Sequence, residues 1–248
     1  MLRAVVFDLW GTLMAERREL FPERARVRYE GVRPVLERHG IHVTQDEFTQ
    51  FHLASNRTLS RLQEHGRDVS AEERARHVIY QMRPGAADRL TAEDVAEFIE
   101  AYAGSILHSM PALLEGAAEA VEEARRRGLR VGLISNTGVA GGRHLRQVIA
   151  HHGLLEAFAS LVFSDEHRRS KPHPAIFDAA LADLGVTPEE AVFVGDTPRY
   201  DVGPPRRLGW WVVQVGDRDD GDPPAHRRVP GAGDLFGALE ELGLLGGR

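Results

Sequence analysis

The 248-residue chain contains no cysteine, which excludes a disulfide framework, a thiolate metal site and a cysteine nucleophile. Lysine is almost as scarce: of 31 Lys and Arg residues only Lys171 is a lysine. The surviving ammonium is a position to watch, because a compact ammonium can fit where a planar guanidinium fork cannot; chance survival of one lysine is the plainer reading. No apolar run approaches the roughly 20 residues of a membrane span. Residues 1–10 lack the basic start, long apolar middle and small-residue cleavage site of a secretory leader. The expectation is a cytoplasmic protein with no membrane partner. The 12 histidines show no His-Glu-x-x-His or comparable zinc spacing. A net charge of −6 removes the general electrostatic reason to bind a polyanion, so nucleic acid is not expected as a partner.

What is present is an ordinary globular composition, 42% hydrophobic and 27% charged. Residues 3–9 form a short apolar run ending at Asp8 and followed by Gly11 and Thr12, which predicts a buried strand leading into a loop. Further strands are predicted at residues 129–135, 161–163, 191–195 and 210–215. Helical periodicity falls between and after them at 116–127, 142–152, 174–184, 200–208 and 235–244. This alternation predicts an α/β fold, a doubly wound parallel sheet. Residues 17–108 differ, being charged and poor in strand signals, with helical periodicity punctuated by Gly31, Gly40, Gly66 and Pro84-Gly85. Thr44-x-x-Glu47 and Thr91-x-x-Asp94 look like capping boxes. The expectation is an inserted domain of four or five helices over 17–108, with the core formed by 1–16 and 109–248. Residues 217–230, rich in Asp, Gly, Pro and Arg, are expected to be a mobile surface loop.

In an open parallel sheet, ligands bind beyond the carboxyl ends of the strands, so the polar residues after each apolar run carry the chemistry. Four such sets occur: Asp8 to Thr12, Ser135-Asn136-Thr137, Ser170-Lys171-Pro172, and Gly195-Asp196 to Asp201. They bring carboxylates (Asp8, Asp196, Asp201), hydroxyls (Thr12, Ser135), an amide (Asn136) and the sole ammonium. Carboxylates with a backbone carbonyl and waters suit Mg²⁺. A carboxylate beside that ion can attack phosphorus while lysine and hydroxyl donors hold the phosphoryl oxygens. Each residue also has a plainer reading: Ser135 and Asn136 as helix-start caps, Asp201 as a cap, Trp10 as an apolar plug. Arg24, Arg26, Arg28, Arg33 and Arg38 read as a solvated helix face rather than as contacts to an anionic substrate.

The four sets, in this order, resemble the haloacid dehalogenase-like hydrolase superfamily. The motifs are Phe7-Asp-Leu-Trp-Gly-Thr-Leu13, Leu133-Ile-Ser-Asn-Thr137, Lys171-Pro-His-Pro, and Phe193-Val-Gly-Asp-Thr-Pro-Arg-Tyr-Asp201. The resemblance implies a Rossmann-like core with a helical cap after the first motif. By it Asp8 is the nucleophile and Lys171 the positive bridge to substrate; Thr12, Ser135 and Asn136 bind substrate. Asp8, the Trp10 carbonyl and Asp196 hold Mg²⁺, with Asp201 as a ligand or its neighbour. The substrate implied is a small phosphorylated metabolite.

The chain departs from this pattern at Trp10, where the family's phosphatases carry a second Asp that protonates the leaving group. Loss of a general acid/base costs about 10²–10⁴-fold, which predicts slow turnover or a preference for good leaving groups. An aromatic residue there is similar to the 2-haloacid dehalogenases, the alternative reading, together with a catalytically weak binding protein. Those dehalogenases place Ser and Asn where this chain has Gly195 and Asp196, and Tyr where it has Phe177. The phosphonate-cleaving branch needs a cap lysine, and residues 17–108 contain none.

Overall fold

The computed structural model describes residues 1–218 and 221–245. Its six-stranded sheet has the order β5-β4-β1-β6-β7-β8, formed by β1 (Ala4–Phe7), β4 (Arg130–Ser135), β5 (Ser160–Phe163), β6 (Ala191–Gly195), β7 (Trp211–Val215) and β8 (Arg227–Val229). All five pairings are parallel. β1 lies between β4 and β6, and alternate side chains face two separate cores. Val5, Phe7, Leu133, Val192 and Val194 pack on one side; Ala4, Val6, Ile134, Phe193 and Val212 pack on the other. Burial on both faces explains why these strands read as continuous apolar runs. Helices α5 (Ala117–Arg126), α6 (Gly142–His151) and α10 (Leu235–Glu241) cover the first face, and α8 (Pro174–Leu184) the second. The predicted doubly wound α/β architecture is present.

After β1 the chain makes a tight loop and enters β2 (Met14–Ala15), which pairs antiparallel with β3 (Ala112–Leu113). Between these two short strands lie α1 (Phe21–Arg38), α2 (Gln45–Glu64), α3 (Ala71–Met82) and α4 (Ala92–Ala103). The four helices bury their own cluster, including Val32, Val35, Phe48, Val78, Ile79, Phe98 and Tyr102. Capping boxes open α2 at Thr44 and Glu47 and α4 at Thr91 and Asp94, and a third opens α3 at Ser70 and Glu73.

Several local expectations are corrected. Gly31 does not punctuate a helix, because α1 runs through it and through Pro34; packing of α1 on α4 overrides local propensity. The helix expected over 200–208 is a wide turn at Pro198–Val202 followed by α9 (Gly203–Arg207). Pro204 and Pro205 have no N–H to give, so they are tolerated only in a first turn. Part of the expected loop at 217–230 is β8, an edge strand whose two arginines are exposed, as suits a sheet edge facing water; residues 219 and 220 of that loop lie outside the described residues. A short helix, α7 (Ser164–His167), follows β5 where the sequence shows no helical periodicity.

Candidate active site

The carboxyl ends of β1, β4 and β6 carry three of the sequence sets, and the loop between α7 and α8 brings the fourth, Ser170-Lys171-Pro172, against them. Asp8 follows β1 directly, and its N–H donates to the Val194 carbonyl at 2.8 Å. The loop after it closes through Leu13 and Met14 N–H groups donating to the Leu9 carbonyl, both at 2.9 Å. This turn swings Thr12 back so that its hydroxyl donates to Asp8 Oδ2 at 3.2 Å. Gly11 has φ +81°, and a Cβ there would lie 2.6 Å from Asp196 Oδ2. Only glycine lets the loop follow the left-handed path beside that carboxylate.

Lys171 is 2% exposed, and its Nζ donates to Asp8 Oδ1 at 2.6 Å and to Asp201 Oδ1 at 2.7 Å. The ammonium also lies 5.3 Å from the Phe193 ring centroid. Its backbone is fixed by Asn136, whose Oδ1 accepts from Lys171 N at 2.8 Å and whose Nδ2 donates to Lys171 O at 3.0 Å. Asn136, expected among the substrate ligands, therefore spends its amide on placing the lysine. Ser135 is fully buried at the end of β4, with its hydroxyl 3.3 Å from the Asn136 carbonyl. Asp201 accepts from Thr197 N at 3.0 Å, so it both caps a turn and pairs with Lys171. Gly195 makes this approach possible: a Cβ there would lie 2.3 Å from the Asp201 Cβ. Asp196 accepts from Thr197 Oγ1 at 3.0 Å and meets the exposed Arg218 at 3.2 Å.

Asp8, Asp196 and Asp201 are all buried, and each offers one oxygen within 4.8 Å of the others. Three carboxylates and one ammonium leave a formal charge of −2 before Arg218 is counted, the amount a divalent cation neutralises. The donors are all oxygen, as a hard cation prefers. Burial pushes the Asp8 carboxyl above the ordinary range, with Asp201 and Asp196 adding to the effect and Lys171 opposing it. Burial raises Asp196 likewise, and Asp201 adds. For Lys171 burial acts downward, but Asp201 and Asp8 outweigh it and the ammonium is pushed up to about 12. The proton of the Asp8–Lys171 pair therefore stays on the lysine. The residues fit Mg²⁺.

Trp10 is half-buried, packs against the first core cluster, and lines a cavity of about 330 Å³ with Arg24, Arg28, Glu16, Ile106 and Asn136. Here the expectation for the α1 arginines fails in part. Arg26, Arg33 and Arg38 are exposed, each beside a glutamate, but Arg24 and Arg28 are buried at 7% and 8% exposure. They occupy the same helical stripe as Val32 and Val35, at the spacing that faces the core.

Sequence reasoning missed one group entirely. Asp68, in the α2–α3 loop, accepts from Ser164 Oγ at 2.5 Å, Gln63 Nε2 at 2.8 Å and Thr137 Oγ1 at 3.3 Å, and pairs with buried Arg74 at 3.0 Å. The same loop receives Ser170 N on the Gly66 carbonyl at 3.2 Å. The inserted helices thus grip both the Ser135–Thr137 segment and the residue before Lys171. A lone Asp after Gly-Arg carries no periodic signal that would reveal this.

A family model described as haloacid dehalogenase-like hydrolase matches residues 2–209. Glyceraldehyde 3-phosphate phosphatase of Methanopyrus kandleri is 28% identical over 239 residues, 93% of this chain and 91% of that protein. Phosphoserine phosphatase of Thermus thermophilus is 43% identical over 93 residues, 38% of this chain and 36% of that protein. The matches to three of the curated relatives span 36%, 45% and 53% of their length. Among solved structures, the 2-haloacid dehalogenase of Pseudomonas syringae pv. tomato overlays with a TM-score of 0.66 at 19% identity, covering 98% of this chain and 100% of that one. That likeness concerns the fold alone. No helix among the described residues is long and apolar enough to cross a membrane.

Proposed function

The chain belongs to the haloacid dehalogenase-like hydrolase family, and from that membership we propose that it is a Mg²⁺-dependent phosphatase acting on a small phosphorylated metabolite. In this reading α1–α4, residues 17–108, form a cap over a catalytic core of 1–16 and 109–248. The observation that carries it is the buried acidic cluster around one ammonium. Names of relatives that act on phosphate esters add support. A dehalogenase displacing halide from carbon has no use for three clustered carboxylates, whereas a phosphoryl group held beside a divalent cation does.

Asp8 is the nucleophile. Thr12 on one oxygen and Lys171 on the other hold its carboxylate in one orientation. One Asp8 oxygen forms a bond to phosphorus as the phosphorus–oxygen bond to the leaving group breaks, and the leaving-group oxygen departs with the electron pair of the broken bond. Water then cleaves the aspartyl-phosphate, releasing phosphate and restoring Asp8. Lys171 opposes the upward push of burial on Asp8 and sets positive charge beside the phosphoryl oxygens; Asn136 keeps Lys171 in place. Asp8, Asp196 and the Trp10 carbonyl, with Asp201 adjoining, would hold Mg²⁺, which neutralises charge on the transferring group when bound.

The indole N–H of Trp10 is far too weak an acid to protonate the leaving oxygen. The reading therefore favours acyl and aryl phosphates over alkyl phosphates by about 10²–10⁴-fold, or roughly 3–5 kcal/mol of barrier. The test is release of inorganic phosphate and of halide, with Mg²⁺ and with chelator, from the native chain, Asp8→Asn and Trp10→Asp. Phosphate release from acetyl or aryl phosphates that needs Mg²⁺ and Asp8, and a gain on alkyl phosphates in Trp10→Asp, is the expected result. Halide release from 2-haloacids insensitive to chelator would overturn it in favour of the dehalogenase.

A further inference from the structure

Arg28 is the one buried cation of the Trp10 cavity without a counterion among the described residues. Its neighbour Arg24 is neutralised by Glu16, whose two oxygens lie 2.9 and 2.7 Å from Nη1, and it also donates to Ser109. Arg28 forms no ion pair. Its Nε donates to Ser105 Oγ at 3.1 Å and to the Tyr102 carbonyl at 3.2 Å, and its Nη1 donates to His52 Nε2 at 3.0 Å. The guanidinium carbon lies 5.4 Å from the Tyr102 ring centroid. Every one of these partners is neutral. His52 Nε2 also faces the Asn56 amide at 3.1 Å, so Nε2 accepts and the other ring nitrogen carries the hydrogen toward Tyr102 Oη, 2.6 Å away. Nη2 takes part in none of these bonds.

A buried charge held only by neutral groups is costly unless something of opposite sign arrives. Arg24, Glu16 and Arg28 together leave one unbalanced positive charge on a cavity that Trp10 and Asn136 also line. Both of those residues adjoin the reaction centre, Trp10 through the Asp8 loop and Asn136 through Lys171. We propose that Arg28 is a substrate-recognition residue that binds a carboxylate at the far end of the phosphate ester. A carboxylate carries the single charge required, and its two oxygens match the planar guanidinium edge; a second phosphate would bring nearly two charges to a site that balances one. The class selected by binding is thus a short phosphorylated carboxylic acid, while its rate of turnover is set separately by the leaving group that Trp10 leaves unprotonated. This rests on the phosphatase reading and narrows it.

The experiment measures binding by calorimetry in Asp8→Asn, with Mg²⁺ present and turnover blocked. Two matched pairs serve as probes: 2-phosphoglycolate against 2-hydroxyethyl phosphate, and 3-phosphoglycerate against glycerol 3-phosphate. A charged hydrogen-bonded contact predicts that at least one acid binds about 10- to 100-fold tighter than its alcohol. Adding Arg28→Gln should bring that ratio close to one, and Arg28→Lys should restore part of it. A ratio near one for both pairs in the Arg28-containing protein overturns the inference without any Arg28 variant, and so does an undiminished ratio in Arg28→Gln. A preserved ratio in a protein that releases no phosphate from any ester supports the carboxylate site while removing the phosphatase reading alone.

Discussion

The scarcity of lysine makes one substitution unusually informative. Lys171→Arg keeps the charge and changes only its shape. Nζ sits 2.6 and 2.7 Å from two carboxylate oxygens, in a site 2% exposed, with the Phe193 ring at 5.3 Å. Asn136 holds the backbone at both N and O, so the main chain cannot retreat to admit a longer, flat head group. Overpacking of this kind costs about 1–3 kcal/mol. At about 2–4 °C per kcal/mol for a chain of this size, the melting temperature should fall by roughly 2–12 °C in chelator. Displacing the charge from the Asp8 oxygen should lower phosphate release by about 10²–10³-fold. Lys171→Met serves as the comparison: it relieves the crowding but leaves three buried carboxylates without their ammonium, and should cost about 3–5 kcal/mol. Scanning calorimetry and a phosphate-release assay read both variants. A Lys171→Arg protein that melts within about 1 °C of the parent and retains full activity would refute the claim that this site selects a compact cation.

Three further outcomes follow from the same structure. Asp68→Ala leaves Arg74 buried without its partner and should destabilise the chain by about 3–5 kcal/mol, measured by denaturant unfolding; a loss under about 1 kcal/mol would show that the inserted helices do not depend on this grip. Mg²⁺ at 100 times its dissociation constant should stabilise the folded chain by about 2.7 kcal/mol, and Asp196→Asn should abolish most of the thermal shift; an equal shift in the variant would place the ion elsewhere. His52 is held neutral chiefly by burial and then by the Arg28 charge, its pKa lowered to about 3. The unfolded chain takes up that proton first as pH falls through about 6.5, so stability should decline from there toward pH 3. His52→Gln should flatten that decline, and an unchanged pH profile of unfolding would contradict it.

Much of the molecule was legible from the residues alone. Strands buried on both faces must be nearly continuous apolar runs, so β1, β4 and β6 stand out, and the polar residues at their ends fall at the sheet edge where ligands bind. Asp8 and the Asp196–Asp201 segment follow from that rule, while Lys171, in a loop before a helix, stands out only as the sole lysine; the structure brings these four into contact or close approach. Turn and capping chemistry is equally local, as Thr44 and Thr91 illustrate. What periodicity cannot say is which stripe of a charged helix will find a neighbour. Arg24 and Arg28 share their stripe with Val32 and Val35, yet only the seating of α1 against α4 and the core buries them and leaves one paired with Glu16 and the other with no carboxylate. Asn136 and Asp68 likewise acquire their roles from partners 35 and 96 residues away. Hydrophobic pattern and turn chemistry are properties of neighbouring residues, so the sequence by itself determined the sheet and the acidic cluster. The balance of a buried charge is summed over everything around it, and that sum exists only once the chain has folded.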